Sequence, residues 1–152
     1  MRLLELLSTT YPYEETDPDE YEFTTDAGIE YVVLMMTEGF EDDKGKYQEE
    51  VEVQFGIKTH GGVITKITKA GDAFKVFATV GKILKDHLAK NPECLNMLFS
   101  ASLQEPTRVK LYDSFIKFLP KFLPGWSVDD IEDEFGQRRY ILSKKDQPGD
   151  NK

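Results

Sequence analysis

A chain of 152 residues with 28 Asp and Glu against 19 Lys and Arg is long enough for one domain around a single core. Its net charge of −9 has the wrong sign for a nucleic-acid binder, whose affinity comes from Lys and Arg neutralising phosphates. No apolar segment approaches the roughly 20 residues of a membrane-spanning helix, Met1 to Leu7 is too short and too soon interrupted by Glu5 for a secretory signal, and the single Cys94 excludes an internal disulfide, so a reducing cytoplasm is expected.

The acid is unevenly spread. Residues 1–57 hold 16 Asp and Glu against three Lys and Arg, whereas residues 58–152 hold 12 against 16. In the first half, Ser8 to Asp19 reads as a loop rich in Tyr, Pro, Thr and acid. Tyr21–Thr25 alternates, Asp26-Ala27-Gly28 is a turn signal, and Ile29–Met36 is an apolar strand that closes a hairpin. A long polar connection through Gly39 and Gly45 leads to Val51, Val53, Phe55 and Ile57, spaced by two with Glu52, Gln54 and Gly56 between them. That is the pattern of a strand with one face on a core and the other in water. His60-Gly61-Gly62 is a turn, and Val63–Ile67 returns as a fourth strand, completing an antiparallel meander.

The second half changes period. Ala73, Phe74, Phe77, Val80, Leu84 and Leu88, widened by Val76 and Ile83, recur at helical spacing, with Lys75, Lys82, Lys85 and Asp86 off the stripe. Asn91-Pro92 ends this helix. Cys94–Phe99 is apolar at consecutive positions, as a strand covered on both faces would be. Pro106 suits the first turn of a second helix whose apolar side is Val109, Tyr112, Phe115, Ile116 and Leu119, with Pro120 as its stop. Trp126 and Arg138–Leu142 form a last hairpin. The domain is expected over residues 1–143 and a flexible tail over 144–152.

Strands, helix, strand, helix, strands is the order of the carboxyl-terminal part of the GNAT acyltransferase fold. Phe99-Ser100-Ala101 followed by the helix Glu105–Phe115, with its Leu111-Tyr112 pair, resembles the strand, turn and helix of that family, and the likeness extends over about residues 29–142. It implies an α+β, GNAT-like domain: a mostly antiparallel sheet flanked by two main helices. A weaker similarity, through the helix beginning Gly71-Asp72-Ala73-Phe74, is to small tailed-bacteriophage proteins without an assigned activity.

The family resemblance implies a coenzyme A-dependent N-acyltransferase with acetyl-coenzyme A as cofactor. Its pyrophosphate would lie on the loop before the first helix, where Thr68, Lys69, Ala70 and Gly71 stand. One glycine replaces the family's two or three, and Asp72 serves equally as a helix cap, so the loop is degenerate. Tyr112 matches the residue that protonates the departing thiolate, and it also lies on an apolar stripe where packing alone would explain it. Glu52, among Glu50, Glu52 and His60 on the meander, is the candidate base. His87 reads as a partly exposed, satisfied side chain and Cys94 as a buried hydrophobe; no His, Cys and carboxylate grouping has metal-ligand spacing.

The partner expected is a basic amine or peptide acceptor attracted by the acidic meander. The alternative is a non-catalytic, phage-encoded module of the same shape that binds a host protein, and an open meander edge would allow a homodimer. For the enzyme, the fourth and fifth strands must part toward Gly71, because strands paired along their length leave no room for the cofactor.

Overall fold

The computed structural model describes residues 10–59, 62–64 and 73–145. Its elements are β1 (Tyr13–Asp17), β2 (Glu20–Thr24), β3 (Glu30–Glu41), β4 (Tyr47–Thr59), β5 (Gly62–Ile64), α1 (Ala73–Ala89), β6 (Cys94–Ser102), α2 (Pro106–Phe122), β7 (Trp126–Glu134) and β8 (Gln137–Lys144). The strands make one sheet in the order β1-β2-β3-β4-β6-β8-β7, with β5 attached to β4. Among the described residues only β4 and β6 run parallel. This is the α+β arrangement expected, a mostly antiparallel sheet with two main helices, in the order that the GNAT resemblance implied.

Alternation decides which side of the sheet is core. Val51, Val53 and Phe55 of β4 are buried with Tyr21 and Phe23 of β2, Tyr31 and Val33 of β3, Met97 and Phe99 of β6, and Tyr140 and Leu142 of β8. Both helices cover this one face. Val76, Val80, Ile83 and Leu84 of α1 and Leu111, Tyr112, Phe115 and Leu119 of α2 all belong to the same core. The helices also meet each other, with the rings of Phe77 and Phe115 5.5 Å apart. Gly81 permits the approach, since a Cβ there would lie 2.6 Å from Phe122. Arg138 of β8 ties the last hairpin to α2 by bonding Asp133 at 2.8 Å and Asp113 at 3.3 Å.

Several sequence expectations are corrected. The Ser8–Asp19 loop contains β1, an edge strand hidden in the sequence by Glu14, Glu15 and Asp17, whose side chains face solvent. The connection through Gly39 and Gly45 is shorter than expected: β3 runs to Glu41 and pairs with Tyr47, so the loop is only Asp42–Lys46, held by Asp42 Oδ1 accepting from the Lys44 and Lys46 N–H groups. Pro120 does not stop α2, which continues to Phe122. On β6, Met97, Leu98 and Phe99 are buried in succession as expected, but Leu95, at the register shift with β4, is exposed. Nor is the neighbour of β6 the Val63 strand. The part of that segment the structure describes is in β5, a hairpin return on β4, residues 65–67 lie outside the described residues, and β6 lies against β4 itself.

Candidate functional site

The parallel ladder between β4 and β6 is short. It runs from Glu49↔Cys94 to Glu52↔Leu98, after which β4 continues to Thr59 and β6 to Ser102 without further pairing to each other. Farther along, Ile57, Lys58 and Thr59 pair with β5. Since β3 pairs with β4 as far as Ile57, β5 occupies the side of β4 that β6 has left. Val53–Gly56 therefore faces an opening in the sheet, with no strand beside it on that side among the described residues.

Tyr112 stands at this opening. Helical spacing puts it on the inner side of α2 with Phe115 and Leu119, and its ring packs against Phe55 and Phe99, with centroids 5.4 Å away in each case. The Phe55 N–H, which would otherwise lack a ladder partner, donates to the Tyr112 hydroxyl at 3.4 Å. Tyr112 is fully buried, and burial pushes its phenol up to about 12, with Glu52 and Glu105 adding and the Phe55 N–H and Arg108 opposing. The phenol is thus protonated throughout the neutral range. Its oxygen accepts from the strand, and its own proton remains to be donated.

Glu52 is the last β4 residue on the ladder and points to the opposite side of the sheet, where Ser100 Oγ donates to its Oε2 at 3.3 Å. Tyr112 and Glu52 thus approach the opening from its two faces. Beside them is Glu50, which the sequence did not single out from its neighbours. It is half-buried, and burial lifts its carboxyl above the ordinary range, with Glu52 and Glu38 adding to the rise and Arg139 opposing it. Glu38 sits directly across the ladder from Glu50, and Glu14 directly across from Glu22, so like charges are paired on the face turned away from α1 and α2. A groove of about 550 Å³ over β1–β3 is lined by Tyr13, Glu14, Glu22, Phe23 and Glu30.

Thr68, Lys69, Ala70 and Gly71 lie outside the described residues, as does His60. His87 departs from expectation. It is buried, 4% exposed, with Nδ1 bonded to the Tyr21 hydroxyl at 2.8 Å and Nε2 without a partner among the described residues, and burial lowers its pKa. Cys94 is buried, and burial raises its thiol. Among the described residues no group of three or more His, Cys, Asp or Glu could hold a metal, and no helix is long and apolar enough to cross a membrane.

No family model and no curated protein matches the sequence. Solved structures do resemble the fold. The aminoglycoside acetyltransferase AAC(6')-Ib in complex with coenzyme A and kanamycin aligns with 82% of this chain at 13% identity and a TM-score of 0.42. A GNAT-family acetyltransferase from Streptococcus pneumoniae aligns with 86% at 8% identity and a TM-score of 0.40, covering 70% of that protein. A structure described as a phosphinothricin N-acetyltransferase aligns with 86% at 12% identity and a TM-score of 0.37. The present chain spans 65% of the aminoglycoside enzyme's length. At these values the likenesses bear on neither substrate nor activity.

Proposed function

We propose that this chain is an acyl-coenzyme A-dependent N-acyltransferase whose reacting centre is the opening between β4 and β6. The observation that carries this reading is the four-residue interval Val53–Gly56, bounded by the β6 ladder on one side and the β5 ladder on the other, with the Tyr112 hydroxyl on its Phe55 N–H. An open strand edge offers backbone donors and acceptors to an amide-bearing arm such as the pantetheine of coenzyme A. An arm that takes the Phe55 N–H releases the phenol, which then presents its proton to the thiolate leaving the acyl carbon. Because Tyr112 is held near 12, it acts as a hydrogen-bond donor to developing negative charge and never as a base near neutral pH.

On the opposite face Glu52 is positioned to take the proton of an attacking amine, directly or through water, and the carboxylates around it favour a cationic acceptor. In this reading Thr68, Lys69, Ala70 and Gly71 serve the pyrophosphate. Thermal melting with and without acetyl-coenzyme A tests it: ligand at about 100 times its Kd adds about 2.7 kcal/mol of stability, and an unchanged Tm at millimolar coenzyme removes the enzyme reading. Tyr112→Phe should retain the ligand-induced shift and lose turnover, while Glu52→Gln should lose turnover most for acceptors of high amine pKa.

The like-charge pairs Glu14↔Glu22 and Glu38↔Glu50 favour a second reading, an acidic module that binds a basic protein of a host cell without catalysis. Salt-sensitive binding of a basic partner by a chain indifferent to coenzyme A is the result that distinguishes it.

A further inference from the structure

The last hairpin carries an unusual residue at its closed end and a cavity at its open end. β7 and β8 are joined by the two-residue turn Phe135-Gly136, closed by the pair Glu134↔Gln137. Both turn residues have positive φ, 53° for Phe135 and 77° for Gly136, as a tight hairpin with a right-handed twist demands. The first position of such a turn favours Asn, Asp or Gly; a phenylalanine there is strained, and this one is 95% exposed. Neither backbone preference nor burial accounts for it.

At the other end, where Trp126 pairs with Lys144, a cavity of about 210 Å³ is lined by Lys85, Leu88, Leu123, Pro124, Trp126 and Lys144. It is large enough for a benzyl group, since a cavity of about 150 Å³ holds benzene. Neither Lys85 nor Lys144 has an ion-pair partner among the described residues, although the chain is acidic overall. The turn, by contrast, is approached on β7 through Glu132, Asp133 and Glu134; Arg139 and Arg138 of β8 pair with the first two, and Glu134 has no ion-pair partner among the described residues. One end of the hairpin is thus an apolar knob beside the carboxylate of Glu134, and the other is an apolar socket with a basic rim.

We infer that Phe135 of one copy seats in the Lys85–Trp126–Lys144 socket of a second copy, giving a twofold dimer through the β7 edge. The knob and socket lie at opposite ends of one nine-residue strand, so two hairpins set antiparallel side by side exchange knobs reciprocally. A head-to-tail chain is not required. The midpoint of that exchange falls at Asp130 and Ile131, and Ile131 is 49% exposed, adding apolar surface at the axis. The acids of β7 that such a dimer brings together are already paired in part within the chain: Asp129 with Lys145, Glu132 with Arg139 and Asp133 with Arg138.

The test is mass against concentration for the full chain, by sedimentation equilibrium at moderate salt. A monomer–dimer equilibrium is expected, and Phe135→Asn and the double variant Lys85→Glu/Lys144→Glu should each weaken it at least tenfold. Asn accepts the turn's backbone geometry, so Phe135→Asn should melt in dilute solution at or above the unaltered chain's temperature, which separates lost association from lost folding. A monomeric mass up to the solubility limit overturns the inference. So does a dimer unaffected by either variant, one lost only with Phe135→Asn, which would place the knob elsewhere, or assembly beyond two copies, which would deny the reciprocal geometry.

Discussion

The two faces of β4 differ as much as two proteins. On one, Val51, Val53 and Phe55 are no more than 1% exposed beneath both helices; on the other, Glu50, Glu52 and Gln54 alternate with them, half-buried, beneath no described helix. A single strand therefore supplies the middle of the core and part of an acidic surface, and the opening beside Val53–Gly56 is the place where the two environments communicate. Stability is concentrated on the first face, and the residues with proton chemistry to offer lie at the opening or beyond it.

The largest effect should come from emptying the covered face. Phe55→Ala removes a ring packed against Phe99, Tyr112 and Phe115 and should cost about 3–5 kcal/mol in urea denaturation, whereas Gln54→Ala, one residue away, should stay within about 0.5 kcal/mol. Equal losses would erase the distinction between the faces.

Acid should act on the covered face next. His87 is buried and neutral, and burial, with Lys90 behind it, holds its pKa below 6.5, while Asp19 and Glu15 pull the other way and Tyr21 accepts or donates at Nδ1. The unfolded chain gains a proton below about 6.5 that the folded chain refuses until lower pH. The His87 contribution is thus steady above that value and is lost as pH falls from 6.5 toward the folded pKa. The urea midpoint should drop across this window, and His87→Gln should flatten the drop.

The smallest change is expected on the face turned away from α1 and α2 and has the opposite sign. Glu50 faces Glu38 across the ladder, and its pKa is raised, so Glu50→Gln should stabilise the fold by up to about 1 kcal/mol at neutral pH. Between the ordinary value of 4.5 and its raised folded value, the folded chain holds the proton more tightly, so this residue's contribution worsens as pH rises through that interval. A loss on Glu50→Gln at pH 7 would mean that the attraction of the Arg139 charge outweighs burial and repulsion.

The sequence made the two faces of β4 readable, because a period of two survives whatever the strand pairs with. It also made α1 and α2 readable through their apolar stripes, and it placed Tyr112 on the inner side of its helix. β1 was hidden because an edge strand needs no apolar side chains, and Tyr13-Glu14-Glu15-Thr16-Asp17 has the composition of a loop. Helix α2 runs on past Pro120 because the proline forfeits only the one bond its own N–H would have made, and the Leu123 N–H still closes on the Leu119 carbonyl beyond it at 2.9 Å. The opening beside Val53–Gly56 has no local signature at all. It arises from where β6 stops pairing and β5 begins, two long-range facts that no window of residues contains.

The four rungs between β4 and β6 have a consequence for how the chain assembles and comes apart. β1–β4 close through short hairpins, and β7–β8 through a two-residue turn, so both outer parts of the sheet can form from contacts near in sequence, whereas β6 must be brought to each of its two neighbours over a long separation. Its ladder with β8 has seven rungs, and its ladder with β4 has only the four along Glu49–Glu52, across some forty-five residues. That seam is expected to knit last and to open first, so that amide exchange in the middle of the sheet outpaces exchange in the hairpins on either side, reversing the usual order in which edges fray before centres.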